Sequence, residues 1–507
     1  MPLPNTSAAN SWLNTGYLLC SFALWLHWSV ITVQMLNLGF AYSLTELYSL
    51  LAIAGLSGAV LKIPAGYFST LFGCRNTTLI TSLLLLLPSI GAGIALQYPD
   101  FPLWGLQLLA LLSGLGGANI MVALTNSHYF TTRHQLAAQE LTLGIGQLGI
   151  SLVQLTGPLL MSIALFSFAD SPQLRLQQNS GNLLGAISEG QPLWLQNTSW
   201  FWAGLLLLLA VIIGLKMKNP PRQAAIPSFW YSLCWITLLL LLSLLPVAAG
   251  LWLLLTNSFS LSANLVLVLI LLTTLLILKV IPGPLQSLIE QQYTALNSKH
   301  CWVICCLYAA IFGSLIGFSA AMPLTLKVIF GYSQLPEAAT INPNAPAALT
   351  YSWLLPFTAV LLYPSGSWLS VRWGSAKVIQ ACLALMLPAM LAAAWYMHQA
   401  SHSTQPEQFF LPFLLCFIVV MAGCGLANSA CLLLIQRVFP VSLRSTVLHN
   451  CMAVAALGAF YIPHLLSLYL TQHKPANALV NFAFFYLLCL FLNGFFYLRQ
   501  KAEFYNP

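Results

Sequence analysis

A lysine inside an apolar run is the first group in this sequence that could do chemistry. Gly58-Ala-Val-Leu-Lys62-Ile-Pro64 sets Lys62 about four turns into a hydrophobic stretch. A lysine at that depth costs about 3 kcal/mol on insertion scales. Such a cost is repaid where a cation faces a cavity and holds an anion; the alternative is a stem that reaches toward the interface about two and a half turns away. The acids are arranged oppositely. All nine, Glu46, Asp100, Glu140, Asp170, Glu189, Glu290, Glu337, Glu407 and Glu503, fall in loops or at helix ends. Proton-coupled symporters and carriers of organic cations commonly keep an intramembrane carboxylate, so an anion path gains weight.

Other polar groups share the apolar runs. His27 lies in Trp25-Leu-His27-Trp28-Ser29, and His464 follows Pro463. A buried histidine can carry a proton near neutrality, although a lone one more often packs and hydrogen-bonds. Trp28, Tyr308 and Phe312 could wall a cavity; Tyr308 and Phe312, four residues apart, also suit simple helix packing. Gln147 and Gln154, seven apart, share one helix face and could bind a solute or each other. Their neighbours Gly144, Gly146 and Gly149, like Gly313 and Gly317, have the spacing that lets helices cross closely. These glycine patterns follow no strand, which excludes a nucleotide fold.

Fourteen apolar spans must position these groups. They run near Leu13–Leu38, Leu47–Phe72, Thr77–Leu96, Leu103–Tyr129, Leu141–Phe168, Trp200–Leu215, Phe229–Leu255, Leu261–Ile281, Cys301–Met322, Leu349–Leu369, Val378–Tyr396, Phe409–Ile435, Cys451–Leu470 and Leu479–Leu498. The fold class is therefore an all-α polytopic membrane protein. Of 507 residues, 59% are hydrophobic and 5% charged, far below the roughly 25% of soluble domains. A water-soluble enzyme is excluded. Span lengths near 20 exclude a barrel, whose strands would be about ten residues long.

The net charge of +8 is scattered rather than clustered, so it argues for topology and against nucleic acid. With the N-terminus inside, Arg75, Arg133, Lys216, Lys218, Arg222, Lys279, Lys299, Arg372, Lys377, Arg437, Arg444, Arg499 and Lys501 are cytoplasmic, 13 of the 17 basic residues. Arg175 and Lys474 fall in outside loops, and Lys327 near an outside end. Both termini are thus expected in the cytoplasm, and the chain in the inner membrane. The outside loops Asp170–Ser199 and Gly331–Pro346 read as plain surface loops. The uncharged start Met1–Asn10 differs from a cleavable leader. The twelve cysteines lie mainly in apolar runs and read as small buried residues; no metal or other cofactor is expected.

An internal repeat orders the spans. Gly114-Leu-Gly-Gly-Ala-Asn119 in the fourth and Gly423-Cys-Gly-Leu-Ala-Asn428 in the twelfth share G-x-G-x-A-N at an offset of 309. Lys62-Ile-Pro-Ala-Gly66 leading to Gly73 and Arg75 has a partner in Tyr363-Pro-Ser-Gly-Ser367 leading to Arg372 and Gly374, about 300 residues on. Two six-helix halves, 1–220 and 299–507, are therefore expected, with 221–298 holding an inserted hairpin and a linker. Transporters built from such repeats place the substrate site between halves. The inserted spans are Leu-rich and poor in Gly and polar residues, and are expected to sit peripherally; being two, they preserve the orientation of the second half.

Taken together, these residues resemble the nitrate/nitrite porter family of the major facilitator superfamily. The resemblance is collinear from the first span to the last, the hairpin excepted. Its most specific stretches are Gly114–Asn119 followed by Asn126-Ser-His-Tyr-Phe130, Gly144–Pro158, and Tyr308-Ala-Ala-Ile-Phe312 continuing to Ala320. It implies alternating access around a central anion site. The family places an arginine in the second span, where Lys62 stands, and a second in the tenth, where Tyr363 stands. Its aromatic pair in the ninth span is matched by Tyr308 and Phe312, and its fourth-span Asn by Asn119. Gln147 stands where the fifth-span signature has Asn, Ile120 at an aromatic position, and Trp28 at an aromatic place in the first span. Thr70 replaces the acid of the loop motif after the second span, and Val371 its counterpart.

The substrate site is thus expected to be formed by Lys62, His27, Trp28, Asn119, Gln147, Tyr308, Phe312 and Tyr363. One arginine is lost and the other replaced by lysine, a point charge in place of a planar fork. The expected function is secondary transport, by a monomer in the lipid bilayer, of a small anion of nitrate or nitrite type or an anionic metabolite. The alternative is a proton-linked carrier of a neutral or zwitterionic solute such as an amino acid, metallophore or drug. A membrane sensor ranks last.

Overall fold

The computed structural model describes residues 4–130, 135–166, 174–220, 226–256, 262–281, 284–333 and 340–507. Arg133, Asp170, Arg222 and Glu337 lie outside the described residues. The helices long and apolar enough to cross a membrane are Ala8–Asn37, Cys74–Ala95, Leu103–Phe130, Leu136–Met161, Gln196–Lys216, Phe229–Leu254, Ala263–Val280, Lys299–Gly331, Ala348–Trp373, Ser375–His402, Pro406–Val438, Val441–Thr471 and Ala476–Leu498. The bent pair Leu44–Val60 and Lys62–Phe72 supplies the second span and brings the number to fourteen.

That bend, 43°, has a local cause. Pro64 has no N–H to give the carbonyl of Val60, so the helix opens one turn before it. Lys62 is the first residue beyond the break. The first span is likewise interrupted, at His27.

The second and tenth spans end alike. Gly73 (φ 84°, ψ 150°) and Gly374 (φ 91°, ψ 143°) each hold the left-handed region that favours glycine, and their N–H groups donate to the carbonyls of Ser69 and Ser370. The separation of 301 residues places the repeat register on structural equivalents.

In the first half, the first span packs on the fourth, fifth and sixth, and the third on the sixth. In the second half, the twelfth span packs on the tenth and eleventh, and the fourteenth on the eleventh. Across the middle, the second span meets the thirteenth, the fifth the tenth, and the first the ninth. The second–thirteenth contact requires glycine: a Cβ on Gly55 would stand 2.2 Å from the carbonyl oxygen of Ala459.

The inserted pair has more contact than its composition suggests. The seventh span leans on the second and third, and it meets the eighth where Gly250 faces Ile270. The stretch expected to be a linker contains a further helix, Pro284–Leu296, packed on the second and thirteenth spans.

The loop between the fifth and sixth spans also differs from a plain surface loop. Its residues 174–193 form two small antiparallel ladders. Ser180, Gly181 and Asn182 are buried, because the Gln177 N–H donates to the carbonyl of Asn37 and the Ser180 hydroxyl to Gln34, both on the first span. A third ladder pairs Tyr332–Ser333 with Thr340–Ile341. This side of the molecule is called the loop face below, and the opposite side, where the Asn10 amide donates to the carbonyl of Lys218, the terminal face.

Candidate functional site

Lys62 is wholly buried. Its Nζ donates to the carbonyl of Gly58 at 3.1 Å and lies 4.5 Å from the centre of the Trp25 ring, within cation–π range. Trp25 is held by its own indole N–H, which donates to the carbonyl of Ala54 at 2.8 Å. Two glycines make room for it: a Cβ on Gly58 or on Gly117 would come within 2.8 Å of the ring. The repeat motif of the fourth span therefore seats an indole, and the indole seats the ammonium. Among the described residues the only salt bridges are those of Lys299 and His300 with Glu503, so no carboxylate neutralises Lys62.

His27 and Trp28 stand side by side, ring centres 5.1 Å apart. His27 Nδ1 meets the carbonyl of Leu24, and its buried Nε2 has no protein partner. The Trp28 indole donates to Ser113 Oγ at 3.0 Å. Trp25 and Trp28 also border a void of about 10 Å³ that Ala320 and Ala459 close from the second half. That is the size of one water, so the halves are nearly in contact at this depth.

Asn119 is committed on one side, its amide donating to Ser21 Oγ at 3.0 Å. Gln147 is not: the side chain is fully buried and neither Oε1 nor Nε2 meets a protein partner among the described residues. Tyr308 and Tyr363 are buried, and neither hydroxyl has a hydrogen-bond partner among the described residues. Tyr308 and Phe312 have ring centres 5.8 Å apart, Tyr308 just before and Phe312 within a turn of π-helix, Ala309–Gly313. Gly144, one turn before Gln147, faces Tyr363 so closely that a Cβ would be 3.0 Å from its ring. Unpaired buried polar atoms each cost about 1–3 kcal/mol, and several together mark a place kept for something other than stability.

The structure thus sets Lys62 with Trp25 in the first half, Tyr308 with Phe312 on the ninth span, and Tyr363 against Gly144 of the fifth. Lys62 makes no hydrogen bond to another of the eight expected residues. Gln154 does not bond Gln147; its amide crosses between halves to the carbonyl of Ser319 at 2.7 Å. Three groups lie outside the expected site: Trp25, Gln154 as a cross-half tie, and Asn428, whose buried amide has both atoms unpaired among the described residues. Asn428 closes the G-x-G-x-A-N repeat, which was its signal. Glu140 also gains meaning: it lines a cavity of about 310 Å³ with Tyr363 and Ser367, between the fifth and tenth spans.

Both mouths of the central path are tied. On the loop face Tyr48 and Thr325 hydroxyls meet at 2.8 Å, and Thr350 donates to the carbonyl of Asn182 at 3.1 Å. On the terminal face the Tyr67 hydroxyl donates to Gln292 Oε1 and the Gln292 amide to Asn450 Oδ1, both at 2.7 Å. Helix Pro284–Leu296 therefore bridges the halves. The loop motif there works without an acid: Arg75 donates to the carbonyl of Gly214, and Thr70 accepts from Tyr129.

Two six-span bundles around a closed central path, with a buried cation at a proline hinge, are the frame of an alternating-access transporter. The pattern of the Major Facilitator Superfamily matches residues 13–463, and the chain belongs to that family. It is a multi-pass membrane protein and a secondary transporter, not an enzyme. It is 27% identical to the probable nitrate/nitrite antiporter NarK2 of Thermus thermophilus over 97% of this chain and 93% of that one. It is 25% identical to the nitrate/nitrite transporter NarU of Salmonella typhimurium, covering 97% and 92%. Among solved structures it is similar to an auto-inhibited peptide transporter of the POT family (TM-score 0.63, 16% identity, 98% of each chain). It is also similar to the xylose transporter XylE from E. coli (TM-score 0.58, 12% identity, 98% and 99%).

Proposed function

We propose that this chain moves a small monovalent anion of the nitrate/nitrite class by alternating access, with Lys62 as the anchoring charge. The observation that carries the reading is the burial of the Lys62 ammonium at a hinge, against an indole, with no carboxylate partner among the described residues. A cation so placed is completed electrostatically by an anion. The relatives named for nitrate and nitrite transport support the substrate class.

Residues 1–220 and 299–507 form the rocking halves in this reading, and 221–298 the inserted hairpin with its linker helix. The Pro64 hinge lets the lower part of the second span swing while Trp25 keeps hold of Lys62. Gln147 and Tyr363 supply neutral hydrogen bonds where the family implies asparagine and arginine, and Tyr308 keeps the family's ninth-span aromatic. The protein works as a monomer in the inner membrane with both termini in the cytoplasm, supported by the basic residues of that side.

The test is counterflow of nitrate and nitrite in proteoliposomes. Lys62→Gln is expected to abolish it and Lys62→Arg to keep part. Equal uptake by Lys62→Gln and the parent, with dependence on a proton gradient through His27, would instead favour a carrier of neutral or zwitterionic solutes.

A further inference from the structure

We infer that the loop face holds a second anion site, at Lys327, whose occupation loosens a tie between the two halves. Lys327 lies in the last turns of the ninth span and is 8% exposed. Among the described residues its Nζ reaches only the carbonyl of Asn179, at 3.5 Å, the outer limit of a hydrogen bond. No carboxylate forms a salt bridge with it among the described residues. An ammonium has three protons to donate, so most of this one's capacity is unspent.

The surroundings are built for a donor-rich site. Lys327, Asn37, Ser180 and Asn344 line a cavity of about 260 Å³, room for several waters. Behind it, the Asn37 amide and the Ser180 hydroxyl both donate to Gln34 Oε1 at 3.0 Å. That saturates the acceptor of Gln34 and leaves its fully buried Nε2 without a partner. Asn37 Oδ1 is unpaired as well, which suits a water carried in by an incompletely dehydrated anion. The space fits a small monovalent anion with part of its hydration shell, held by a point charge that does not demand planar geometry.

Asn179 belongs to the loop of the first half and Lys327 to the second half. An anion that takes Nζ must compete with the Asn179 carbonyl, so capture removes one of the ties that close this face. The existence of the site rests on its own geometry; its service as a waiting place for the transported ion rests on the anion reading above.

The experiment is labelling of Asn344→Cys with a polar maleimide in purified full-length protein, with the parent as background, in sodium nitrate, chloride or gluconate at constant ionic strength. Nitrate, with or without chloride, is expected to slow labelling at least threefold relative to gluconate. The slowing should persist in Lys62→Gln and Lys327→Arg and vanish in Lys327→Gln. Equal rates in all salts, or protection that survives Lys327→Gln, would overturn the site. Protection lost in Lys62→Gln would assign the signal to the central path and overturn it too. Protection by chloride alone would overturn the waiting-place role. Intact protection in a protein that moves no nitrate would sink the transport reading and leave this site standing.

Discussion

Lys62 and Tyr363 stand 301 residues apart, the separation of Gly73 and Gly374, the two left-handed glycines that end the second and tenth spans. They are therefore equivalent positions on the two halves, one a buried cation and the other a buried phenol. A symmetric pair of charges would hold an anion from both sides. Here one half supplies charge and the other a neutral hydroxyl, so in the proposed anion site binding would be polarised toward the first half.

Restoring the missing charge should deepen binding. Lys62→Arg with Tyr363→Arg gives two planar forks, and each charge-assisted bidentate contact is stronger than a neutral one. Nitrate KM in counterflow is expected to fall about tenfold, with turnover falling as release slows. Tyr363→Arg alone, raising KM, would refute the equivalence.

Gln147 offers a trade between stability and transport. Its amide has no protein partner although it is fully buried. Replacing it by leucine removes an unpaired polar group worth about 1–3 kcal/mol. Gln147→Leu is expected to raise the melting temperature by a few degrees while cutting nitrate flux at least tenfold. A lower melting temperature with unchanged flux would contradict the assignment.

The second–thirteenth contact has no room for a side chain at Gly55. Gly55→Val should force the spans apart, at the ~1–3 kcal/mol typical of overpacking. Transport is expected to drop by more than tenfold with the protein still folded by circular dichroism; Gly204→Val, where nothing lies near the added carbon, should be neutral.

The terminal face is tied through Gln292 to both Tyr67 and Asn450. Losing one neutral hydrogen bond is worth ~1 kcal/mol, about fivefold in the balance between closed and open. Tyr67→Phe should label a Ser445→Cys reporter, set in the terminal-face cavity, about five times faster than the Ser445→Cys parent.

The C-terminal tail carries a pH-sensitive tether. Glu503 accepts from His300 at 3.1 Å and pairs with Lys299 at 3.0 Å, which holds its carboxyl below the usual range, the His300 bond being the larger cause. A depressed folded value means that the tether is present above the ordinary carboxylate pKa of about 4.3 and is lost as pH falls through the folded value. Amide exchange of residues 499–506, corrected for intrinsic rates, should rise only below about pH 4. Glu503→Gln should show the rise already at pH 7.

Much of the frame was legible because lipid imposes it. With no water to satisfy backbone groups, a chain with 5% charge must form helices about 20 residues long, and runs of that length are read directly. Lys62 stood out because a charge in such a run is costly, whereas the bend before Pro64 emerged only with the folded second span. The repeat gave the register of the two halves through glycines that a short pattern can reveal. Less visible was the inserted stretch, whose helix Pro284–Leu296 is too short and polar to count as a span and looks like a linker until its contacts are seen.

What the sequence by itself determined, then, is local: span count, the isolated lysine and the equivalence of Lys62 with Tyr363. Each depends on residues near one another along the chain or on a constant offset. Only the tertiary structure decided that Trp25 lies under Lys62, that Gln154 ties to the carbonyl of Ser319, and that Gln147 and Asn428 are left unpaired. Those facts depend on which face of each helix meets which neighbour. In lipid that choice is made by close packing of small residues such as Gly58 and Gly117, summed over contacts distant in sequence and invisible in any single run.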